Sequence, residues 1–405
     1  MPWEGVTVSE QRRNFIRDYV AGFYSRVELS QAFGISRKTA YKWIGRFKQS
    51  GDEGLEERSR RPHSCPWQTD AAVAQEIIRL RKARPRRGPK KLLRDLQRRH
   101  RGGELPAVST IAHILSREGL AKKPRRHRRA HPGCPKSGAT APNDIWAADY
   151  KGQFRLRNGQ YCFPLTVSDL YSRYLLGCEA HPEVSLQRTM QYFALLFRTY
   201  GLPNRIRTDN GVPFASSALA RLSHLSAWWI KLGIYPELIE PGKPQQNGIH
   251  ERMHRTLKQE ATIPPGSCLR TQQGKFDTFR QEYNTDRPHE ALQMACPAEV
   301  YHRSAKDLPS RVATYDYPGH LLVRRVSRCG TIRVLHNQIF VSQVLNEDYV
   351  GLEEVDDGLY DLYFCFYLLG RYELRGNRIL DIISKVPTSN SRVEGPNRVS
   401  PMSLE

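Results

Sequence analysis

Three carboxylates in a strongly basic chain have the residue types and surroundings of a metal site. Asp149 ends the apolar run Trp146-Ala147-Ala148-Asp149-Tyr150. Asp209 ends the short β-branched run Ile206-Arg207-Thr208 at an Asn210-Gly211 turn. Glu251 follows a Pro/Gly-rich stretch, Pro244 to Gly248, and helical spacing puts Glu251, Arg255 and Lys258 on one face. Acids at the ends of neighbouring strands, with a third on a helix alongside, can converge although distant in sequence. Hard oxygen donors of this kind suit Mg²⁺, with Mn²⁺ as a substitute. Two such ions would activate a water or sugar hydroxyl and stabilise the leaving oxygen of a phosphodiester. Asp149, Asp209 and Glu251 are therefore the candidate catalytic and metal-binding acids. Lys258 lies about two helical turns beyond Glu251 and is a candidate contact to a DNA backbone. Arg255, at i+4, is an alternative partner for Glu251. Singly, a strand-end Asp before Asn-Gly reads as an Asx-turn former, and a helical Glu near an Arg as a surface pair. Together, in this order, the three acids outweigh those readings.

Charge identifies a substrate for that chemistry. Lys and Arg number 63 against 41 Asp and Glu, a net charge of +22. Residues 1–133 hold 31 of those cations against 13 acids, and residues 134–405 hold 32 against 28. A basic front joined to a nearly neutral remainder points to nucleic acid as partner. The eight cysteines are scattered with no C-x-x-C pair, which fits reduced thiols. No apolar run approaches the roughly 18 residues that span a bilayer, and the N-terminus lacks the regions of a signal peptide. A soluble, cytoplasmic protein with no membrane contact is expected.

The elements that must position these groups fall into distinct zones. Residues 9–24, capped by Ser9, predict a helix with the stripe Phe15, Ile16, Tyr19, Val20 and Phe23. Val27–Phe33 and Arg37–Lys48 complete a helix-turn-helix around Gly34-Ile35-Ser36, with Ser36 as cap. Arg37, Lys38, Tyr41 and Lys42 would face out where a recognition helix meets base edges. Gly51–Pro66 reads as a linker. A second helical unit repeats the layout over Ala71–Arg84, Pro89–Arg99 and Ser109–Glu118, with Arg86, Arg87, Lys90 and Lys91 at the start of its middle helix. Lys122–Lys136 has seven Lys and Arg and no acid, and Arg125, Arg126, Arg128 and Arg129 suit an arm along phosphates. His127, His131 and Cys134 lack a fourth ligand at zinc spacing.

From Ala141 the pattern alternates strands (145–150, 161–168, 173–179, 205–208, 234–238) with helices (185–200, 217–232, 246–260, 272–283), which predicts a mixed sheet covered on both faces. Residues 310–385 return to short strands, including a single one over Leu359–Leu369, and suggest a small β-barrel or sandwich. Ser384–Glu405 is Ser/Pro/Asn-rich and is expected to be disordered.

Several stretches carry a family resemblance. These are Pro142–Gly152, Arg207-Thr208-Asp209-Asn210-Gly211-Val212-Pro213-Phe214, Pro241–Lys258 and Tyr283-Asn284-Thr285-Asp286-Arg287-Pro288-His289-Glu290-Ala291-Leu292. Over residues 141–300 the chain resembles DDE-class insertion-sequence transposases with a retroviral-integrase-type core. The resemblance implies an RNase H-like core with Asp149, Asp209 and Glu251 as a triad holding two Mg²⁺ ions, and Lys258 as the basic residue after the glutamate. Gln246 and Asn247, in the same loop, join the expected DNA contacts. It also implies cleavage at transposon ends, 3′-OH strand transfer into target DNA, and a homo-oligomer, dimer or tetramer, on double-stranded DNA. A bacterial protein, nucleoid-associated when bound, is expected.

The expected organisation is multidomain. It runs from tandem helix-turn-helix units (1–60 and 61–121) through a basic linker (122–140), an RNase H-like α/β core (141–305) and a small β-barrel (306–385) to a tail (386–405). Between Asp209 and Glu251 lie 41 residues, longer than in many relatives, with the extra length assigned to Ala215–Trp229. Glu240 and Glu237 are the rivals for the third acid, and Asp144 is the rival for Asp149. Residues 1–60 have neither Cys nor His, so the zinc fold of retroviral integrases is absent there.

Overall fold

The stripe expected on the first helix is only partly buried, because the helix stops early. In the computed structural model, which describes residues 7–57, 68–100, 104–121 and 138–381, α1 spans Val8–Ala21. Thr7, not Ser9, caps it in a capping box with Glu10, and Gly22 at φ 74° ends it. Phe15 and Ile16 are buried, whereas Val20 and Phe23 lie beyond the packed face and are exposed. α2 (Arg26–Ala32) and α3 (Arg37–Ser50) follow, capped by Ser25 and Ser36. Ala40, Trp43 and Ile44 of α3 pack on Phe15, Ile16 and Leu29. The linker expected from Gly51 begins later: Gly51–Leu55 is a 3₁₀ turn that buries Leu55 in this core. Gly54 is required there, since a Cβ would sit 2.3 Å from the Arg46 carbonyl oxygen. These elements belong to one compact unit, Met1–Val73, and the remainder, Ala74–Glu405, forms a second.

The second unit starts within α4 (Ala71–Ala83), and α4, α5 (Pro89–Arg99) and α6 (Val108–Arg117) bury Ile77, Leu80, Leu92, Leu96, Ile111, Ile114 and Leu115. Ala107, rather than the Ser-Thr pair, stands at the α6 N-cap. The basic segment 122–137, with Arg125, Arg126, Arg128 and Arg129, lies outside the described residues, as do His127, His131, Cys134 and the tail from 382.

The mixed sheet forms as the alternation predicts. It comprises β1 (Ile145–Tyr150), β2 (Phe154–Arg155), β3 (Tyr161–Asp169) and β4 (Leu175–His181), then β5 (Arg205–Thr208) and β6 (Tyr235–Leu238). α7 (Leu186–Tyr200) and α8 (His224–Lys231) intervene. β1 is antiparallel to β3 and parallel to β5, and β5 is parallel to β6. Strand alternation then assigns the faces. Trp146 and Ala148 of β1 pack with Phe193, Phe197, Leu225 and Trp229 of α7 and α8. The opposite face carries α9 (Gly248–Ala261) and α10 (Leu269–Thr285), whose Met253, Leu257, Phe276 and Phe279 cover Cys162, Leu175 and Cys178. The short α11 (Pro297–Val300) closes this part.

The C-terminal strands are β7 (Leu322–Arg325), β8 (Thr331–Val334), β9 (Asn337–Phe340), β10 (Tyr349–Asp356), β11 (Leu359–Phe364), β12 (Tyr367–Glu373) and β13 (Arg378–Leu380). They make an open antiparallel sheet, β13-β12-β11-β10-β7, with β8–β9 as a separate ribbon. No pairing among the described residues closes the expected barrel. The single strand expected over Leu359–Leu369 is a hairpin, because Cys365 turns the chain at φ 53°. The helix expected over 217–232 is also broken: Ala220 and Arg221 have φ of 54° and 55°, and α8 starts only after a Ser223 cap. Ala220, Leu222, Ala227 and Ile230 from this segment share one core with Val350, Leu362 and Tyr372 of the C-terminal sheet. The extra length between Asp209 and Glu251 is thus a docking surface for that sheet.

A buried arginine joins the helical segment to the sheet domain. Arg87 Nη1 donates to both Asp95 oxygens at 2.6 Å, and its Nη2 donates to Asp286 at 2.7 Å. Side-chain exposure is 7% for Arg87 and 4% for Asp95. Asp95→Ala removes two charge-assisted bonds but leaves Arg87 its bond to Asp286, so it should cost about 1.5–3 kcal/mol by urea denaturation. Truncating the half-buried surface residue Asp18 should change stability by less than about 0.5 kcal/mol.

Candidate active site

Asp149 and Asp209 come together because β1 and β5 are parallel neighbours. Their register pairs Ile145 with Arg205 and Ala147 with Arg207. Continued by two residues, it sets Asp149 abreast of Asp209 at the carboxyl ends of both strands. Alternation turns both toward the face that α9 covers. Glu251 lies in the first turn of α9, exposed, while His250, Met253, His254 and Leu257 face inward. Arg255 is exposed and Lys258 half-buried on the same side as Glu251.

The Asp149 carboxyl is pushed up to about 8, first by burial and then by Asp209, against a lowering by Lys151 and with a still smaller rise from Glu251. Asp209 is raised by burial against a Gly211 N–H that donates to its Oδ1 at 3.1 Å. The Asx turn and the shared site therefore coexist at Asp209. Three acids near enough to raise the pKa of one of them, against a partial offset from Lys151, are a donor set suited to a hard divalent cation. Among the described residues, no three His, Cys, Asp or Glu side chains close to metal-ligand spacing. The acids are gathered but not drawn onto a common point.

The rival acids are occupied elsewhere. Asp144 accepts from Thr140 N and Oγ1 at 3.0 and 3.1 Å. Glu237 is paired with the buried Arg207. Glu240 accepts from Gln246 Nε2 at 2.9 Å and pairs with Lys243.

Beneath Asp149 lies a polar network that the motifs do not announce. Thr166, opposite Asp149 in register, donates from Oγ1 to the Asp149 carbonyl at 3.1 Å. The same oxygen meets His250 Nε2 at 2.8 Å and His254 Nε2 at 2.6 Å, and Ser168 Oγ meets His250 Nδ1 at 2.7 Å. With the Thr166 proton committed, both imidazoles must donate from Nε2, so Ser168 donates to His250 Nδ1. The His254 Nδ1 lone pair then faces Asp149 Oδ2 at 3.5 Å, an arrangement that favours a protonated carboxyl. Burial drives His250 down to about 3 and His254 well below its ordinary value, so both are neutral. His250-Glu251-x-x-His254 has the spacing of a zinc-protease helix, yet here the two rings brace α9 against β3 and Glu251 points away. Two hydroxyls at i, i+2 on a buried strand and two His at i, i+4 on a helix were the available signal.

Among the expected DNA contacts, Arg37, Lys38, Tyr41 and Lys42 are all exposed on α3. The second basic group is placed differently. Arg86 donates to the Gln259 side chain, Arg87 is buried, Lys90 meets Glu290 at 3.2 Å and Lys91 is half-buried. Arg86, Arg87 and Lys90 thus bond to Gln259, Asp286 and Glu290 of the sheet domain. Gln246 is buried in its bonds to Glu240, and the Asn247 Oδ1 is buried without a hydrogen-bond partner.

Asp149 sets a pH dependence. Its pKa rises from 3.8 in the unfolded chain to about 8 in the fold, so the native state holds the extra proton between those values. Stability is then lost as pH rises through that window. In metal-free buffer, Asp149→Asn should melt higher than wild type, by a margin that grows from about pH 6 to about pH 8 and then levels off. Thermal melts across that range check it.

Comparison with known proteins adds domain matches and relatives. The chain matches Integrase core domain models over residues 139–244 and 232–297, a Helix-turn-helix domain over 11–63 and a Homeodomain-like domain over 39–115. It is 27% identical over 257 residues to the insertion element IS407 uncharacterized 31.7 kDa protein of Burkholderia multivorans, covering 60% of this chain and 87% of that one. It is also 27% identical to the insertion element IS476 uncharacterized 39.2 kDa protein of Xanthomonas euvesicatoria, covering 61% and 69%. A simian T-cell lymphotropic virus intasome, solved in complex with a PP2A regulatory subunit, is similar at 14% identity and a TM-score of 0.37, covering 72% of this chain and 97% of that one. The chain thus carries matches to an integrase core behind helix-turn-helix domains and is similar to insertion-element proteins.

Proposed function

We propose that this protein binds the terminal inverted repeats of a mobile element, cleaves at its ends and joins the 3′-OH ends to target DNA. The observation that carries the reading is the pairing of Asp149 and Asp209 at the ends of two parallel strands, with Glu251 close enough to raise the Asp149 carboxyl. Mg²⁺ bound by these three acids, as two ions with Mn²⁺ as substitute, would supply Lewis acidity and a nucleophile deprotonated near neutral pH. The residues' own work is to hold three oxygen donors on rigid elements. Thr166 fixes the Asp149 backbone and His254 fixes the side of α9 that faces it. Lys258 would meet the DNA backbone, and Arg37, Lys38, Tyr41 and Lys42 would read the end sequence from α3. Catalysis would take place in an oligomer on double-stranded DNA.

Strand transfer is the test, using a pre-cleaved end duplex, a plasmid target and Mg²⁺. Wild type should join the ends. Glu251→Gln should still bind the duplex while joining falls about a thousandfold or more, the several kcal/mol expected of a lost metal ligand. A Gln variant that joins normally would reject Glu251 as third acid. Cutting without joining would indicate a nuclease, and binding without either a regulator.

A further inference from the structure

The stretch Tyr283–Leu292 supplies none of the three acids, yet it builds a cavity. After α10 ends at Thr285 the chain passes Arg287-Pro288-His289 and folds back, with the His289 N–H donating to the Ala295 carbonyl at 3.0 Å. Between this turn, α9, the start of α5 and the β3–β4 connection lies a space of about 370 Å³. Lys91, Arg173, Arg252, Tyr283, Arg287 and His289 line it.

The polar groups aimed into it are almost all donors. Among the described residues, Lys91, Arg173 and Arg252 have no acidic partner within ion-pair distance. Arg287 is held by both oxygens of Glu260 at 2.8 and 2.9 Å. The one lining acid, Glu290, is bridged to Lys90 at 3.2 Å. Arg173 is a non-glycine residue held at φ 64°, and its Nη1 is buried with no hydrogen-bond partner. His289 Nε2 is likewise buried and unpartnered, its ring edge-on to Tyr283 at 4.9 Å. Burial, then Arg287 and Arg87, against a smaller offset from Glu290 and Glu260, pushes Lys91 down to about 8. Burial, then Lys91, Arg287 and Arg173, pushes His289 down to about 3. Desolvated cations this close together repel, and a buried guanidinium N–H without an acceptor is costly. An anion with several acceptor oxygens relieves both, and forked guanidinium donors match phosphate geometry.

We propose that this cavity binds a phosphate group, and that its source is a DNA strand. The strand assignment rests on the transposase reading and on one further fact: Arg252 follows Glu251 on α9, so a phosphate here lies on the flank of the helix that carries the third acid. Arg173 and Arg252 also line a neighbouring space of about 630 Å³ that reaches Arg207 and Gln246. A backbone leaving the first cavity therefore has a continuous path past the loop before α9.

Two measurements on the full chain decide it. First, the wild-type melting temperature is followed in inorganic phosphate against chloride of equal ionic strength. Phosphate should raise it, and the rise should vanish in Arg173→Gln and in Lys91→Gln, with Arg173→Lys as a milder variant should the first misfold. Second, the affinity of an element-end duplex is measured against salt in a Glu251→Gln background. Arg173→Gln should lower the log–log slope by about 0.9, as expected when one phosphate is no longer neutralised. Absence of both responses would overturn the proposal. Phosphate stabilisation with an unchanged slope would establish the pocket but reject the strand as its source. Failure of end joining leaves the phosphate arm unaffected, so the pocket and the transposase reading are tested separately.

Discussion

The rest of the sheet domain is arranged around carboxylates held where their charge is disfavoured. β1 and β5 run parallel and end side by side on Asp149 and Asp209, and α9 brings Glu251 to the same face. Burial and mutual repulsion lift Asp149 to about 8. Such an arrangement persists only if its supports are rigid, and here they are neutral hydrogen bonds rather than countercharges. Thr166, His250, His254 and Ser168 hold α9 to β3 without neutralising the acids above them. An arginine in that position would instead neutralise the carboxylates and draw the Asp149 pKa down.

The basic front half serves two opposite purposes. On α3 the cations stand exposed, with Lys42 and Arg46 also lying over the Trp43 ring at 4.9 Å. On and before α5 they are turned inward, where Arg87 is shared by Asp95 and Asp286 and Arg98 reaches Glu299. Near these pairs, Lys91, Arg173 and Arg252 line one cavity whose single lining acid, Glu290, is bridged to Lys90. The same residue types thus act as surface charge, structural ion pair or anion receptor according to what lies opposite.

The C-terminal strands show how a local reading fails. Residues 215–229 look like surplus length between two acids, and Leu359–Leu369 looks like one strand. The first is a broken helix whose apolar side is covered by the C-terminal sheet, and the second is a hairpin turned at Cys365. Neither alternative is visible locally, because left-handed residues such as Ala220 and Cys365 are held by packing rather than by preference.

Local structure is legible in the chain itself. Helices follow from apolar spacing and caps such as Ser36, sheet faces follow from strand alternation through Trp146 and Ala148, and the three acids stand out against a basic background. Which groups meet is settled only by the fold. It paired Arg87 with Asp286 and Lys90 with Glu290, made Thr166 the shared partner of two histidines, and left the sheet of the C-terminal region open. The reason is physical. Propensity and periodicity act over a few residues, whereas the fate of a charge depends on desolvation and on neighbours brought in from distant parts of the chain.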